Sequence, residues 1–245
     1  MENEHTNESK ETISYSPIIV ALITLLITIV LFFIYKAKQS SKRTVLITGL
    51  CNSGKTLLFT RLVHQKFVDT YTSMKENTGN YLINNLSLRI VDIPGHERVR
   101  DKFFEKYKKE ARALVYVVDS SLIEKEVRDV AEYLYNILLE LGAMNNKVKV
   151  LILCNKQDVA SSKNSMAVKC ILEKELTTLQ RTKSSQLDSV DPKVKKGDSF
   201  LSEGEDFHFS LLSPIQIEFA NGFATNETKD SINVDELEKW LVKVA

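Results

Sequence analysis

A doubly wound α/β domain with a mostly parallel sheet, preceded by one transmembrane helix, is the fold class that the 245 residues predict. Three observations carry it. From Thr44 onward, short apolar or β-branched runs alternate with stretches at helical spacing. The runs Ala113–Asp119 and Val148–Cys154 are apolar throughout, as strands sandwiched between two helix layers are. Ahead of them stands an uncharged apolar run, Pro17–Tyr35. Ligand loops in such a sheet belong at the carboxyl ends of the strands.

Residues 1–16 read as a polar tail, with Glu2, Glu4, Glu8 and Glu11 against Lys10. The run 17–35 is dominated by Ile, Leu, Val and Phe, and at 1.5 Å per residue it reaches roughly 28 Å, enough to cross a hydrocarbon core. Thr24 and Thr28 fit by bonding back to the preceding turn. A cleaved signal peptide would want a basic amino flank and a shorter apolar core. Here the flank is acidic and the cations Lys36, Lys38, Lys42 and Arg43 follow the run. The positive-inside bias then predicts a lumenal amino terminus, a basic linker over 36–43 and a cytosolic domain over 44–245. Cys51, Cys154 and Cys170 are odd in number and widely spaced, which suits reduced thiols rather than a disulfide or zinc framework. The formal charge of +1 gives no basic field for nucleic acid, and no direct nucleic-acid binding is expected.

The β-branched run Thr44–Thr48 leads into Gly49-Leu50-Cys51-Asn52-Ser53-Gly54-Lys55-Thr56, then into a helix over Leu57–Phe67. Gly, four residues, then Gly-Lys-Thr is the phosphate-binding-loop spacing. Backbone N–H groups from Asn52 through Ser53 and Gly54 to Thr56 can turn around a phosphate only if the chain bends sharply, which Gly49 and Gly54 permit. The anion then sits on a helix N-terminus, with Leu57 next in the binding set. Lys55 would reach the β- and γ-phosphates, and the Thr56 hydroxyl would take a Mg²⁺ position. A chance Gly-rich turn is the bland alternative, disfavoured by the order strand, loop, helix.

Val68–Thr78 is polar without a period and reads as an exposed loop. One of its hydroxyls should cover Mg²⁺ and the γ-phosphate; Thr72 is the choice, with Thr70 and Ser73 as competitors. Strands over Tyr81–Asn84 and Leu86–Val91, joined at Asn84-Asn85, end at Asp92. There it would hold Mg²⁺ through a water, its alternative being a helix cap. Ile93-Pro94-Gly95-His96-Glu97-Arg98 opens a charged helix to about Lys109. The Gly95 amide would sense the γ-phosphate. His96 either orients the attacking water or merely closes the pocket. Val127–Leu141 and Met166–Leu179 read as helices, Arg181–Asp206 as a flexible insertion, Pro214–Phe219 as the last strand and Asn233–Val244 as the last helix, with Trp240 on its apolar face.

After the strand Val148–Cys154 comes Asn155-Lys156-Gln157-Asp158. A carboxylate at Asp158 can accept from N1 and the 2-amino group of guanine, donors that adenine lacks. Asn155 can tie this loop to the phosphate loop, and the Lys156 stem can cover a face of the base. GTP with Mg²⁺ is thus the expected ligand pair.

Taken together, the phosphate loop, DIPGHE and NKQD resemble the Arf-like branch of the Ras-superfamily GTPases. DIPGHERVR, the amino-terminal anchor, FHFSLLSPIQIEF and the terminal DELEKWLVKVA resemble the β-subunit family of the signal recognition particle receptor, over roughly residues 17–245. The resemblance implies a single-pass endoplasmic reticulum protein whose GTP form holds the receptor α subunit as a heterodimer, in indirect contact with the ribosome–nascent chain and the translocon. GTP is then chiefly a structural ligand, and any hydrolysis is slow. It also implies a guanine contact from the loop after the last strand. That loop here reads Gly222-Phe223-Ala224 in place of the family's Ser-Ala, leaving Ala224 to supply the amide. The alternatives are a catalytically cycling Arf-like trafficking GTPase, a P-loop ATPase or kinase, which NKQD disfavours, and a membrane scaffold with a degenerate pocket. The acceptor patterns at Asn85 and Asn226 should stay unglycosylated if the domain is cytosolic.

Overall fold

The structure, a computed structural model, describes residues 16–40, 43–83, 86–144, 148–190, 206–225 and 232–245. The chain divides into two units, residues 1–42 and 43–245.

The first unit contains α1, Ser16–Ser40. The large apolar side chains described in it, from Ile19 to Phe32, are all exposed. The Thr24 and Thr28 hydroxyls donate to the carbonyls of Ala21 and Leu25, so their polarity is absorbed within the helix. Among the described residues no helix is long and apolar enough to cross a membrane. Side chains are described over only 19–32 of this helix, about 21 Å of rise.

The second unit is a six-stranded sheet in the order β2-β3-β1-β4-β5-β6. Its strands are β1 (Thr44–Thr48), β2 (Asn77–Ile83), β3 (Leu86–Asp92), β4 (Ala111–Asp119), β5 (Lys149–Asn155) and β6 (Gln216–Asn221). All neighbours run parallel except β2 on β3. The helices are α2 (Lys55–His64), α3 (Glu97–Tyr107), α4 (Ile123–Ala143), α5 (Ser165–Val190) and α6 (Asp235–Val244), with one 3₁₀ turn at Phe209–Leu211. Alternate residues of each strand supply the two faces. Leu46, Leu114, Tyr116, Val150 and Ile152 pack with α3, α4 and α5, while Val45, Ile47, Val115, Val117 and Leu151 pack with α2 and α6. Trp240 lies in the second of these clusters.

Several boundaries move. β2 begins at Asn77, inside the stretch expected to be loop: Asn-Thr-Gly-Asn has little strand propensity, but antiparallel pairing with β3 through Asn77 and Asp92 extends it. α4 begins at Ile123, whose first turn carries Glu124 and Glu126, acids suited to a helix N-terminus. The insertion expected from Arg181 instead begins as helix, since α5 continues to Val190. Its Gln, Lys, Arg and Leu are adequate helix formers once a packed helix has nucleated, and Arg181 pairs with Asp206 at 2.8 Å. The rest of that segment, the Asn84-Asn85 turn and Asn226 lie outside the described residues.

Candidate functional site

The carboxyl ends of β1, β3, β4 and β5 converge on one mouth. A cavity of about 320 Å³ opens there, lined by residues of the loop after β1, the segment 70–73, Gly95 and Lys156. Small-molecule sites are commonly of this size.

The loop after β1 turns as its residue types permit. Asn52 has φ 62 and Gly54 φ 88; Asn and Gly are the residues that enter the left-handed region most readily. A side chain at Gly49 would meet the Val117 carbonyl at 2.2 Å. Ser53 is buried, and its hydroxyl donates to the Leu50 carbonyl at 3.0 Å. Gly54 caps α2 without a side chain, leaving the first amides of that helix facing the cavity. The Lys55 ammonium folds back on the Leu50 carbonyl and the Ser53 hydroxyl. Burial holds its pKa down at about 8, against the attraction of Asp92. A buried cation bonded mainly to a carbonyl on its own loop is electrostatically under-compensated. Leu57 lines the cavity beyond it.

Thr56 and Asp92 form the next layer. The Thr56 hydroxyl donates to Asp92 Oδ2 at 2.8 Å and lies 3.2 Å from the Ser73 hydroxyl. Asp92 is 1% exposed. Burial pushes its carboxyl pKa up, against hydrogen bonds from Asn77 and Thr56 and the charge of Lys55. Its second oxygen, Oδ1, is buried and has no hydrogen-bond partner among the described residues. An orphaned carboxylate oxygen beside a threonine hydroxyl is a hard-oxygen set that fits Mg²⁺ with retained waters. Thr72, the choice among the loop hydroxyls, lines the cavity with Thr70, but the competitor Ser73 is the one in contact with Thr56.

Gly95 approaches this layer from β3. A Cβ there would lie 2.7 Å from Lys55 Nζ and 2.8 Å from the Cys51 amide nitrogen, so any side chain would wedge the loop away. His96 is not among the cavity-lining residues. It is the N-cap of α3, its Nδ1 accepting from the Arg98 amide at 3.3 Å.

The loop after β5 joins from the other side. Asn155, 2% exposed, donates from Nδ2 to the Ser53 carbonyl at 2.7 Å. Lys156 has φ 64, a conformation costly for a residue with a Cβ. Its ammonium pairs with Asp119 at 2.6 Å. Burial would raise the Asp119 pKa, but bonds from Lys156 and Ser121 outweigh it and hold the carboxyl below its usual range. Gln157 donates to the Ser120 hydroxyl and the Lys163 carbonyl. Asp158 is exposed and stands outside the cavity lining. Ala224 is buried, and its carbonyl accepts from Arg61 Nε at 3.2 Å. Phe223 is pinned by a two-way backbone bridge to Asn233.

Asn77 and Asp119 are not among the site residues expected from sequence. Asp119 had a signal: it ends β4 in register with Asn155 of β5, so the two strand ends deliver it beside Lys156. Asn77 had none until the β2–β3 register is known.

The sequence pattern of the signal recognition particle receptor beta subunit matches residues 40–215. The human signal recognition particle receptor subunit beta is 41% identical over 233 residues, spanning 93% of this chain and 86% of the human protein. The solved structure of the mammalian SRP receptor superposes with a TM-score of 0.73 at 40% identity, over 83% of this chain and all (100%) of that one. The Arl6 small GTPase of Trypanosoma brucei with bound GppNp shares the fold, with a TM-score of 0.54 at 18% identity over 83% of this chain and 96% of its own.

Proposed function

Because the chain belongs to the family of signal recognition particle receptor β subunits, we propose that it is the GTP-binding, membrane-anchored subunit of that receptor. In this reading it holds the α subunit at the endoplasmic reticulum membrane for co-translational targeting of secretory and membrane proteins. The observation that carries the nucleotide half is the convergence of Lys55, Thr56, Gly95 and Lys156 on one cavity at the strand ends. The bond from Asn155 to Ser53 locks the base-side loop to the phosphate-side loop.

Within that cavity the amides of 52–57 and the Lys55 ammonium would hold the phosphates. Thr56, Asp92 and one hydroxyl of 70–73 would hold Mg²⁺, which when bound neutralises phosphate charge. Lys156 would cover the base, with Asp158 and the Ala224 amide reading its guanine edge. His96 caps a helix; in this reading any hydrolysis is slow, and GTP serves chiefly to shape a docking face. Tyr71 and Met74 flank Thr72 and Ser73 and are 90% and 53% exposed; apolar side chains held in water beside a ligand-dependent loop suit a partner that covers them.

The membrane half rests on the sequence of α1. Over Ser16–Ser40 the helix is 25 residues long, about 37 Å. The apolar part has acidic residues before it and cations after it, which supports a single span with the domain on the cytosolic side. Calorimetry on the full chain in detergent tests the nucleotide half: GTP should bind and ATP should not. Equal binding of both, or of neither, rejects it. Capture of the α subunit by the GTP-loaded chain, lost in GDP, tests the partner half.

A further inference from the structure

We propose that Asn77 is a positioning residue for the divalent cation. Its side-chain amide fixes the Asp92 carboxylate so that Oδ1, and only Oδ1, is left to take a water of the metal. This rests on the GTP–Mg²⁺ reading above and goes beyond it in naming a residue that touches neither nucleotide nor cation.

The backbone makes the contact unavoidable. Asn77 is the first residue of β2 and Asp92 the last of β3, and the two are register partners in the antiparallel ladder. Directly opposed residues project on the same face with their Cβ atoms close together. Asn77 Nδ2 accordingly donates to Asp92 Oδ2 at 3.0 Å, and Thr56 donates to the same oxygen at 2.8 Å. One oxygen therefore accepts from two elements, the edge strand and the phosphate-loop helix, while the other is buried without a partner among the described residues.

A carboxylate held by the threonine alone could swing about its terminal torsion, which is broad, and turn its free oxygen in another direction. A second donor arriving from another element makes that rotation cost both charge-assisted bonds. The orientation of the orphan oxygen is thus set by Asn77 as much as by Thr56. Ser73, in contact with Thr56, lies on the segment that leads directly into Asn77. The same side chain therefore joins the carboxylate to the loop that closes the cavity.

The test uses the full chain in detergent micelles, loaded with a fluorescent guanine nucleotide. Nucleotide dissociation is followed across a Mg²⁺ titration and in EDTA. For N77A the midpoint of the Mg²⁺ titration should rise about 10-fold or more, the usual loss when an outer-shell partner of a metal site is removed. Dissociation in EDTA should match wild type. Asn77→Ser, which keeps a shorter donor, should recover part of the shift, and Asn77→Leu, which keeps the volume and removes the donor, should reproduce N77A if alanine does not fold. An unmoved midpoint in either donor-less variant overturns the proposal. So does acceleration by one common factor with and without Mg²⁺, the mark of a loosened strand. Wild type that binds nucleotide without any Mg²⁺ dependence rejects the metal assignment, and wild type that binds no nucleotide rejects the function itself.

Discussion

Replacing Asn155 by alanine removes a side-chain bond that spans from the base-side loop to the phosphate-side loop. The Nδ2 group reaches the Ser53 carbonyl at 2.7 Å, and Asn155 is 2% exposed. The variant therefore strands a carbonyl in a dry place, at a cost of about 1–3 kcal/mol. A water admitted to the vacated space moves the figure toward the lower end. Asn155→Asp is nearly isosteric but sets an oxygen where the donor was and buries a charge, so it should cost about 3 kcal/mol or more. Trp240 is the single tryptophan of the chain and is 2% exposed within the domain core. Its fluorescence in a urea titration reports this domain whatever α1 does. Part of the loss should appear as weaker GTP binding, at tenfold per about 1.4 kcal/mol. If both variants unfold within about 0.5 kcal/mol of wild type, the range of neutral surface changes, the bond contributes nothing and the account of two locked loops is wrong.

Three further outcomes follow from the same geometry. Burial sets the Lys55 pKa at about 8, below its ordinary 10.5. Over that window the unfolded chain holds a proton that the folded, nucleotide-free domain has released, so stability rises with pH from about 8 to 10.5. Bound phosphate restores the charge, so nucleotide binding above pH 8 takes up a proton and its affinity falls up to about tenfold per pH unit; calorimetry in buffers of different ionisation enthalpy reads that proton directly. Tyr133→Phe removes the 2.7 Å bond to Thr48, a hydroxyl 0% exposed at the entry to the phosphate loop; the loss should be about 1–3 kcal/mol, measured by the same urea titration. His96→Ala should cost about 0.5–2 kcal/mol as a lost cap and leave single-turnover GTP hydrolysis unchanged, against the fall of about 10²-fold that loss of a proton-transferring group gives.

Much of the architecture was legible because it is periodic. The apolar runs around Val115 and Ile152 look the same in sequence and in the sheet, and a Gly-x₄-Gly-Lys-Thr string admits few backbones. What escaped was set by pairing rather than by pattern. Asn77 reads as loop because its neighbours have no strand propensity, and only the ladder with β3 brings it to Asp92. Ser73 and Thr72 are one residue apart and chemically alike, so only the path of the loop decides which hydroxyl meets Thr56. At His96 nothing in the sequence signalled the helix cap, in which the ring nitrogen takes up an open amide at the start of α3. The tail of α5 was hidden by composition: serine and lysine suggest a linker, yet a helix already nucleated and packed through Val168, Leu172 and Leu176 extends at little cost.

The bridge between Phe223 and Asn233 closes the chain into a ring, with a backbone bond in each direction at 2.9 Å. Ala224 sits just inside that clasp and is also fastened to α2 through Arg61. The backbone on both sides of 226–231 is thus held at a fixed separation by that bridge. An insertion confined to 226–231 therefore leaves both ends of the clasp in place, which makes that stretch the position to try first for an epitope or a fluorophore.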